Sequence, residues 1–135
     1  MKGGDEQLIS FDDFLMEAGI PIYLQIILWL KRGIASGQIR DGDEVPSRRM
    51  LSARLGVNPN TVQKAYRLLE EEGLLVSQSG AKSLMSLTEE KCAAVRESLL
   101  RSDVRSLVGA LARLGLTKGE VLDLVEQYWE EANEA

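Results

Sequence analysis

The stretch that most constrains the fold runs from Val45 to Gly73 and has the pattern of two short helices joined by a tight turn. Ser47 is suited to cap the first helix, and Gly56 follows its last apolar position. Asn58 is suited to cap a second helix that begins at Pro59, where a missing backbone N–H removes no helical hydrogen bond. So short a connection predicts a helix-turn-helix, whose second helix enters a DNA groove.

The predicted second helix has two chemically different faces. Apolar side chains share one face (Val62, Ala65, Tyr66, Leu69), and polar side chains share the other (Asn60, Gln63, Lys64, Arg67). Amides can bond adenine through two hydrogen bonds, the Thr61 hydroxyl can bond bases or phosphate, and the cations can bind phosphate. The alternative is an ordinary solvated face, because many surface helices mix amides and cations. The two-helix unit favours DNA recognition.

The distribution of charge supports this interpretation, although the net charge of -5 argues against a nucleic-acid partner. Residues 1–20 carry one lysine and five acids, residues 21–86 nine basic and six acidic residues, and residues 87–135 six basic and ten acidic residues. The only basic segment contains the helix-turn-helix. Local field rather than net charge governs a phosphate contact, so this segment suits DNA.

Composition excludes several classes of protein. With 44% hydrophobic and 27% charged residues, the chain is typical of a soluble globular protein. Its longest apolar run, from Ile20 to Leu30, is interrupted by Pro21 and Gln25 and falls short of the roughly 18 residues of a membrane span. The first residues lack the pattern of a secretory signal. We therefore expect a cytoplasmic protein without a membrane partner.

The chain contains one cysteine, Cys92, and no histidine. An intrachain disulfide, a zinc finger and a Ser-His triad are therefore excluded. The sequence shows no catalytic, metal-binding or cofactor-binding pattern, and we predict that the protein is not an enzyme. We interpret Cys92 as a small core residue, with a redox sensor as the alternative.

The residues before the helix-turn-helix predict two further elements. Residues 1–19 are expected to form a tail and then a short helix, opened by a capping box of Ser10 and Asp13, whose phenylalanines pack on the main domain. A strong amphipathic helix is predicted from Pro21 to Ser36. Leu24 and Leu28, with Trp29 nearby, form a second apolar stripe that is expected to contact something else.

After Gly73, two short apolar runs flank a turn with Gly80 at its tip and predict a β-hairpin. Residues 20–87 would then form a winged helix-turn-helix domain, giving a mainly α fold with a small β-hairpin wing. Lys82 and the Gly80 backbone would lie where a wing contacts phosphate or the minor groove.

Residues 88–135 predict a hairpin of two amphipathic helices, the second opened by a Thr117 and Glu120 capping box. Such a pair is too thin to enclose a ligand pocket of several hundred Å³ by itself, and its apolar surface requires a partner. We predict dimerisation, because a two-fold dimer presents two recognition helices to half-sites about one duplex turn apart. The alternative is that the hairpin folds back on its own domain.

Several motifs resemble the GntR-type bacterial transcription regulators: Pro21–Ile26, Ser36–Ile39 followed by Gly42 and Asp43, Pro46–Leu51, and Gly56–Tyr66. The Leu114–Thr117 connection and its short tail are similar to the YtrA subfamily. The resemblance spans residues 20–133. It implies a homodimeric DNA-binding protein, usually a repressor, that binds a palindromic double-stranded operator, often near its own gene or transporter genes.

The resemblance also implies DNA contacts by seven residues, with Arg48 as their neighbour: Arg49, Asn58, Asn60, Thr61, Gln63, Lys64 and Gly80. We expect Arg49, Asn60 and Gln63 to read or anchor bases. Lys64, Arg67 and Lys82 are expected to hold phosphate. The wing departs from the usual pattern, because residues 78–85 lack most of its cations and its second glycine, and this predicts weaker phosphate anchoring.

The leading prediction is thus a sequence-specific, dimeric transcriptional repressor. The alternative is a winged-helix adaptor for protein interactions, with weak or no specific DNA binding, whose 60–67 face would tolerate acidic substitutions. An effector, if one exists, is not identified by the sequence, and neither are the operator and the regulated genes.

Overall fold

The computed structural model describes residues 7–78 and 82–134. In chain order its elements are α1 (Ile22–Ser36), β1 (Glu44–Val45), α2 (Arg48–Leu55), α3 (Pro59–Glu71), β2 (Leu75–Ser77), β3 (Ser83–Met85), α4 (Glu89–Arg113) and α5 (Lys118–Asn133). The predicted fold class, a mainly helical winged helix-turn-helix followed by two helices, is confirmed. The chain divides into a winged unit that ends at Glu97 and a helical unit that begins at Ser98.

The core of the winged unit lies where α1 and α2 pack against α3. Apolar positions three and four residues apart face the same side of a helix, so each helix turns one stripe inward. The most deeply buried side chains are Ile26 and Leu30 of α1, Leu51 of α2, and Val62, Ala65 and Leu69 of α3. This stripe on α3 is the apolar face that its sequence predicts.

The helix ends are formed by the residues that the sequence predicts. Ser47 caps α2, its hydroxyl accepting a 3.1 Å hydrogen bond from the Met50 N–H. Gly56 ends the helix at φ 70°, a left-handed conformation that glycine adopts without steric cost. The connection to Pro59 is therefore short, and it fixes the direction in which α3 leaves α2.

A buried tyrosine ties α3 to the segment that enters α2. The Tyr66 hydroxyl, in a side chain only 3% exposed, donates a 2.7 Å hydrogen bond to the Pro46 carbonyl. Burial raises the pKa of Tyr66 well above its usual value, and the nearby Arg48 charge opposes that rise. The hydroxyl therefore stays protonated and keeps its role as donor.

The sheet is antiparallel with the strand order β1-β3-β2. Strands β2 and β3 form the predicted hairpin, and Glu44 of β1 pairs with Leu84 on the other side of β3. Strand β1 was not predicted, since Val45 marks the start of the predicted helix-turn-helix stretch. Asp43, buried beside it, accepts hydrogen bonds from the Gln7 N–H (3.1 Å) and the Arg40 N–H (2.8 Å).

The prediction of a short helix opened by Ser10 is wrong, because residues 10–19 form turns and irregular chain. The Ser10 hydroxyl accepts from the Asp12 N–H, which makes a local turn in place of a helix cap. The Ile9 N–H donates to the Glu44 carbonyl at 2.7 Å, so this segment is held beside β1. Its phenylalanines do pack on the main domain, where their rings contact Trp29 at centroid distances of 5.9 and 5.6 Å.

The first turns of α4 belong to the winged unit. Val95 is buried there and Cys92 is half-buried. The Lys91 ammonium donates to the carbonyls of Gly73, at 2.6 Å, and Ser86, at 3.1 Å. These bonds hold the start of α4 against the ends of the recognition helix and of the wing.

In the helical unit, the second part of α4 and α5 are joined at Gly115–Thr117. The predicted capping box is confirmed: the Thr117 hydroxyl accepts from the Glu120 N–H at 3.2 Å, and the Glu120 carboxylate accepts from the Thr117 N–H at 2.9 Å. None of the residues 98–134 is buried. In the part of the chain that the structure describes, every helix is too short or too polar to cross a membrane.

Candidate nucleic-acid interface

The N-terminus of α3 is exposed and held in shape by Asn58. The Asn58 side chain accepts a 2.8 Å hydrogen bond from the Asn60 N–H, and its carbonyl accepts from the Thr61 N–H at 2.9 Å. Pro59 occupies the first helical position. The N-terminal end of a helix carries partial positive charge, which favours a phosphate near this turn.

We define the polar face of α3 as five side chains: Asn60, Thr61, Gln63, Lys64 and Arg67. Asn60, Lys64 and Arg67 are exposed, and the other two are half-buried. On the opposite side of the helix, no side chain of the apolar stripe is more than 3% exposed. The structure thus confirms the predicted division of α3 into a buried face and an accessible polar face.

Arg48 links α2 to this polar face. Its Nε–H donates a hydrogen bond to the Gln63 side-chain carbonyl, although the two residues lie 15 positions apart. Both side chains are half-buried, and the neighbouring Arg49 is exposed. The sequence predicted DNA contacts for each of these residues, but it gave no signal that Arg48 and Gln63 form a pair.

Lys64 lies over an aromatic ring of α1. Its ammonium is 4.0 Å from the centroid of the half-buried Tyr23 ring, which is within the range of a cation–π contact. Tyr23 was not among the residues predicted to form the interface. Tyr23 is far from Lys64 in the chain, and no local sequence pattern indicated that the two side chains are in contact.

The cation of Arg67 is paired with a carboxylate of its own helix. Its Nη1 lies 3.0 Å from the Glu71 carboxylate, and both side chains are largely exposed. Exposed pairs at this spacing contribute roughly 0.3 to 0.5 kcal/mol, so a phosphate can displace the carboxylate at little cost. Arg67 is therefore available to DNA in spite of its partner.

The acidic residues of α3 lie at the helix end remote from Asn60. Glu70 accepts a hydrogen bond from the Ser77 hydroxyl, and Glu72, which follows the last residue of α3, pairs with Lys31 at 2.9 Å. The 13 residues of α3 span roughly 20 Å at about 1.5 Å per residue. That length exceeds the screening length of about 8 Å at physiological salt. The acids therefore weaken the field at the N-terminal turn only slightly.

The wing contributes one described cation. Lys82 is exposed just before β3, and its carbonyl accepts a 2.8 Å hydrogen bond from the Gln78 N–H across the hairpin. Gly80, the predicted tip, lies outside the described residues. Among the described residues, no three His, Cys, Asp or Glu side chains are grouped as metal ligands.

Two comparisons with known proteins bear on this arrangement. The family model "Bacterial regulatory proteins, gntR family" matches residues 22–83, which contain α1, the helix-turn-helix and the hairpin up to the first residue of β3. The solved structure of YtrA from Sulfolobus acidocaldarius, a GntR-family transcription factor, is 33% identical and covers 74% of this chain and 99% of its own, with a TM-score of 0.53. The chain belongs to the GntR family.

Other GntR-family proteins extend the likeness. A GntR family transcriptional regulator from Listeria monocytogenes has a TM-score of 0.73 at 25% identity and covers 83% of this chain and 98% of its own. The transcriptional repressor YtrA of Bacillus subtilis is 39% identical over 85 residues, 58% of this chain and 65% of that protein. The predicted resemblance to YtrA-like members is confirmed. This GntR-family chain is a DNA-binding transcription regulator and not an enzyme.

Proposed function

We propose that this GntR-family regulator is a cytoplasmic repressor that binds a palindromic operator as a homodimer. The observation that carries the proposal is the polar face of α3. It is accessible beside the exposed N-terminus of the helix, while the opposite face is fixed in the core. A helix held in this way can enter the major groove without unfolding the domain.

Each polar side chain then has a role that fits its chemistry and position. Arg49, Asn60 and Gln63 contact base edges, which amides and guanidinium groups recognise by two hydrogen bonds. Asn58 and Thr61 lie at the first turn of α3, where backbone and hydroxyl groups bind phosphate. Lys64, Arg67 and Lys82 hold the phosphate backbone.

The helical unit supports the homodimer. Eight of its large apolar side chains are at least half exposed: Leu100, Val104, Leu107, Val108, Leu114, Leu122, Tyr128 and Trp129. Large apolar side chains exposed in such number are typical of an interface. Pairing with a second copy would bury it, and two-fold symmetry would match two recognition helices to an inverted repeat.

The repressor role is supported by the relative in Bacillus subtilis, which is a transcriptional repressor. This chain covers 65% of that protein. A dimer bound across an inverted repeat near a promoter excludes other proteins from the same DNA. Repression therefore needs no surface beyond the one that binds the operator.

The experiment is selection of bound genomic fragments by the purified protein at about 150 mM salt, where binding through phosphate alone is weak. We expect an enriched inverted repeat and a complex that contains two chains per DNA site. Repression is then measured with a reporter placed behind the recovered site.

The test variant combines Asn60→Asp with Gln63→Glu, and its matched control is Asn133→Asp on α5. The double variant should lose the repeat, because carboxylates repel phosphate, whereas the control should retain it. A wild-type protein that enriches no sequence, or a double variant that binds as before, would contradict the proposal and favour the adaptor.

A further inference from the structure

The contact between Arg48 and Gln63 determines which atoms of the Gln63 amide face DNA. A guanidinium group has five N–H donors and no acceptor, so only the amide oxygen of Gln63 can face it. The Arg48 Nε–H accordingly donates to Gln63 Oε1. The remaining polar group of the side chain is the amide NH2 group at Nε2, which can only donate hydrogen bonds.

An unpaired glutamine has a different preference. Its oxygen and its amine together match the N6 donor and N7 acceptor of adenine. Here the oxygen is engaged and lies next to a positive charge, which disfavours a second donor such as the adenine amine. Guanine presents two acceptors, O6 and N7, on its major-groove edge. The amide NH2 group of Gln63 and the guanidinium NH2 groups of Arg48 are all hydrogen-bond donors, so they complement the two acceptors on that edge.

The surroundings of Arg48 hold the pair in place. Arg48 is the first residue of α2, directly after the Ser47 cap. The preceding Pro46 is fixed by the hydrogen bond from the buried Tyr66 hydroxyl. Both Arg48 and Gln63 are half-buried, which leaves them fewer rotamers than exposed side chains have. The donor-only arrangement therefore exists before DNA binds.

We propose that Arg48 determines the base specificity of Gln63, and that the pair selects guanine at one base pair of each half-site. The inference rests on the proposed function, in which the polar face of α3 reads DNA. It changes the role of both residues: Arg48 positions Gln63, and Gln63 prefers guanine over adenine.

The test is selection from a random DNA library by the wild-type protein and three variants. Wild type should enrich guanine at the Gln63 base pair by about tenfold over adenine, as a two-bond contact does. Gln63→Glu offers only acceptors and should replace guanine with cytosine at that base pair, which identifies it. Arg48→Met frees the amide oxygen and should change guanine to adenine there. Arg54→Met removes an arginine from the end of α2 and should leave the motif unchanged.

Two results would overturn the inference and leave the proposed function standing. One is a wild-type motif with adenine at the base pair that Gln63→Glu alters, a result that does not depend on the folding of Arg48→Met. The other is a folded Arg48→Met protein, checked by circular dichroism, that keeps guanine at every position. A wild-type protein that enriches no motif would instead overturn the proposed function, and this inference with it.

Discussion

The two units contain amphipathic helices of similar pattern, but only one of them closes a core. In the winged unit, Leu30 and Leu69 are 0% exposed, whereas Leu114 and Trp129 of the helical unit are 75% and 60% exposed. The winged unit stacks three helices and a sheet, so the main apolar stripe of each of these helices meets another layer. Two helices alone cannot cover both of their stripes. An apolar stripe in the sequence therefore predicts that this face of the helix is buried. It does not indicate whether the covering surface belongs to the same chain or to another copy.

If a second copy supplies that surface, the two units differ in their response to concentration. The stability of a self-contained core is independent of protein concentration, whereas an interface between copies is stabilised by mass action. Dilution should therefore affect the helical unit before the winged unit. The following expectations test this difference, beginning with the largest effect.

The largest effect is expected from Val104→Asp combined with Leu107→Asp. These exposed side chains lie on one stripe of α4, and a dimer would bury four unpaired carboxylates. We expect a loss of at least about 4 kcal/mol in dimerisation free energy, because each buried unpaired charge is strongly destabilising. Sedimentation equilibrium would show monomers, and circular dichroism a folded winged unit. A variant that remains dimeric would show that this stripe is not the interface.

A second experiment compares Leu69→Ala with Leu122→Ala by denaturant unfolding of the chain at low concentration. Leu69 is wholly buried in the winged unit and Leu122 is 55% exposed in the helical unit. Leu69→Ala should lower the free energy of unfolding by about 2 to 5 kcal/mol, as large cavities in cores do. Leu122→Ala should change it by less than about 0.5 kcal/mol. Equal losses of unfolding free energy would contradict the view that only the winged unit has a core of its own.

A third experiment separates DNA reading from pairing of the chains. Arg49→Ala should weaken operator binding by about 1 to 3 kcal/mol through loss of one two-bond contact, with no change in dimerisation. Arg113→Ala, in the helical unit, is the control and should leave operator affinity unchanged. Both affinities are measured by fluorescence anisotropy with the selected operator. If a folded Arg49→Ala protein kept near-wild-type operator affinity, Arg49 would not be part of the DNA interface.

The smallest effect concerns the wing. Gln78→Lys adds a cation to the exposed end of β2, and Asn133→Lys adds the same charge at the end of α5. The wing variant should steepen the salt dependence of binding by about one unit of log–log slope, because one more phosphate contact releases about one more counterion. The control should leave the slope almost unchanged. Identical slopes in wild type and Gln78→Lys would argue that the wing does not approach phosphate.

Local patterns predicted most of the fold. Caps at Ser47, Asn58 and Thr117 depend on residues within three positions of each other, so the sequence contains the whole signal. The two-residue strand β1 is too short to show alternation. Ser10 shows the opposite error, since a capping pattern was present but the Ser10 hydroxyl accepts from the Asp12 N–H in a local turn and no helix follows.

The candidate site was predictable residue by residue but not as a set of contacts. Periodicity placed Gln63 and Lys64 on the accessible face of α3, and the structure confirms that position. Their partners, Arg48 and Tyr23, come from other helices. Such contacts depend on how the helices cross, which single-sequence periodicity does not specify.

The internal partners of the polar face have a consequence for the search along the genome. Gln63, Lys64 and Arg67 each have an intramolecular partner, and the contacts of Lys64 and Arg67 are weak enough for DNA to replace. On random DNA, phosphate contacts by Lys64 and Arg67 would have to compete with these partners, which would shorten each binding event. On the proposed operator, base contacts would add to the phosphate contacts and lengthen the lifetime of the complex. Polar side chains that have intramolecular partners in the unbound protein would thus let it dissociate rapidly from random DNA and stay bound at the operator.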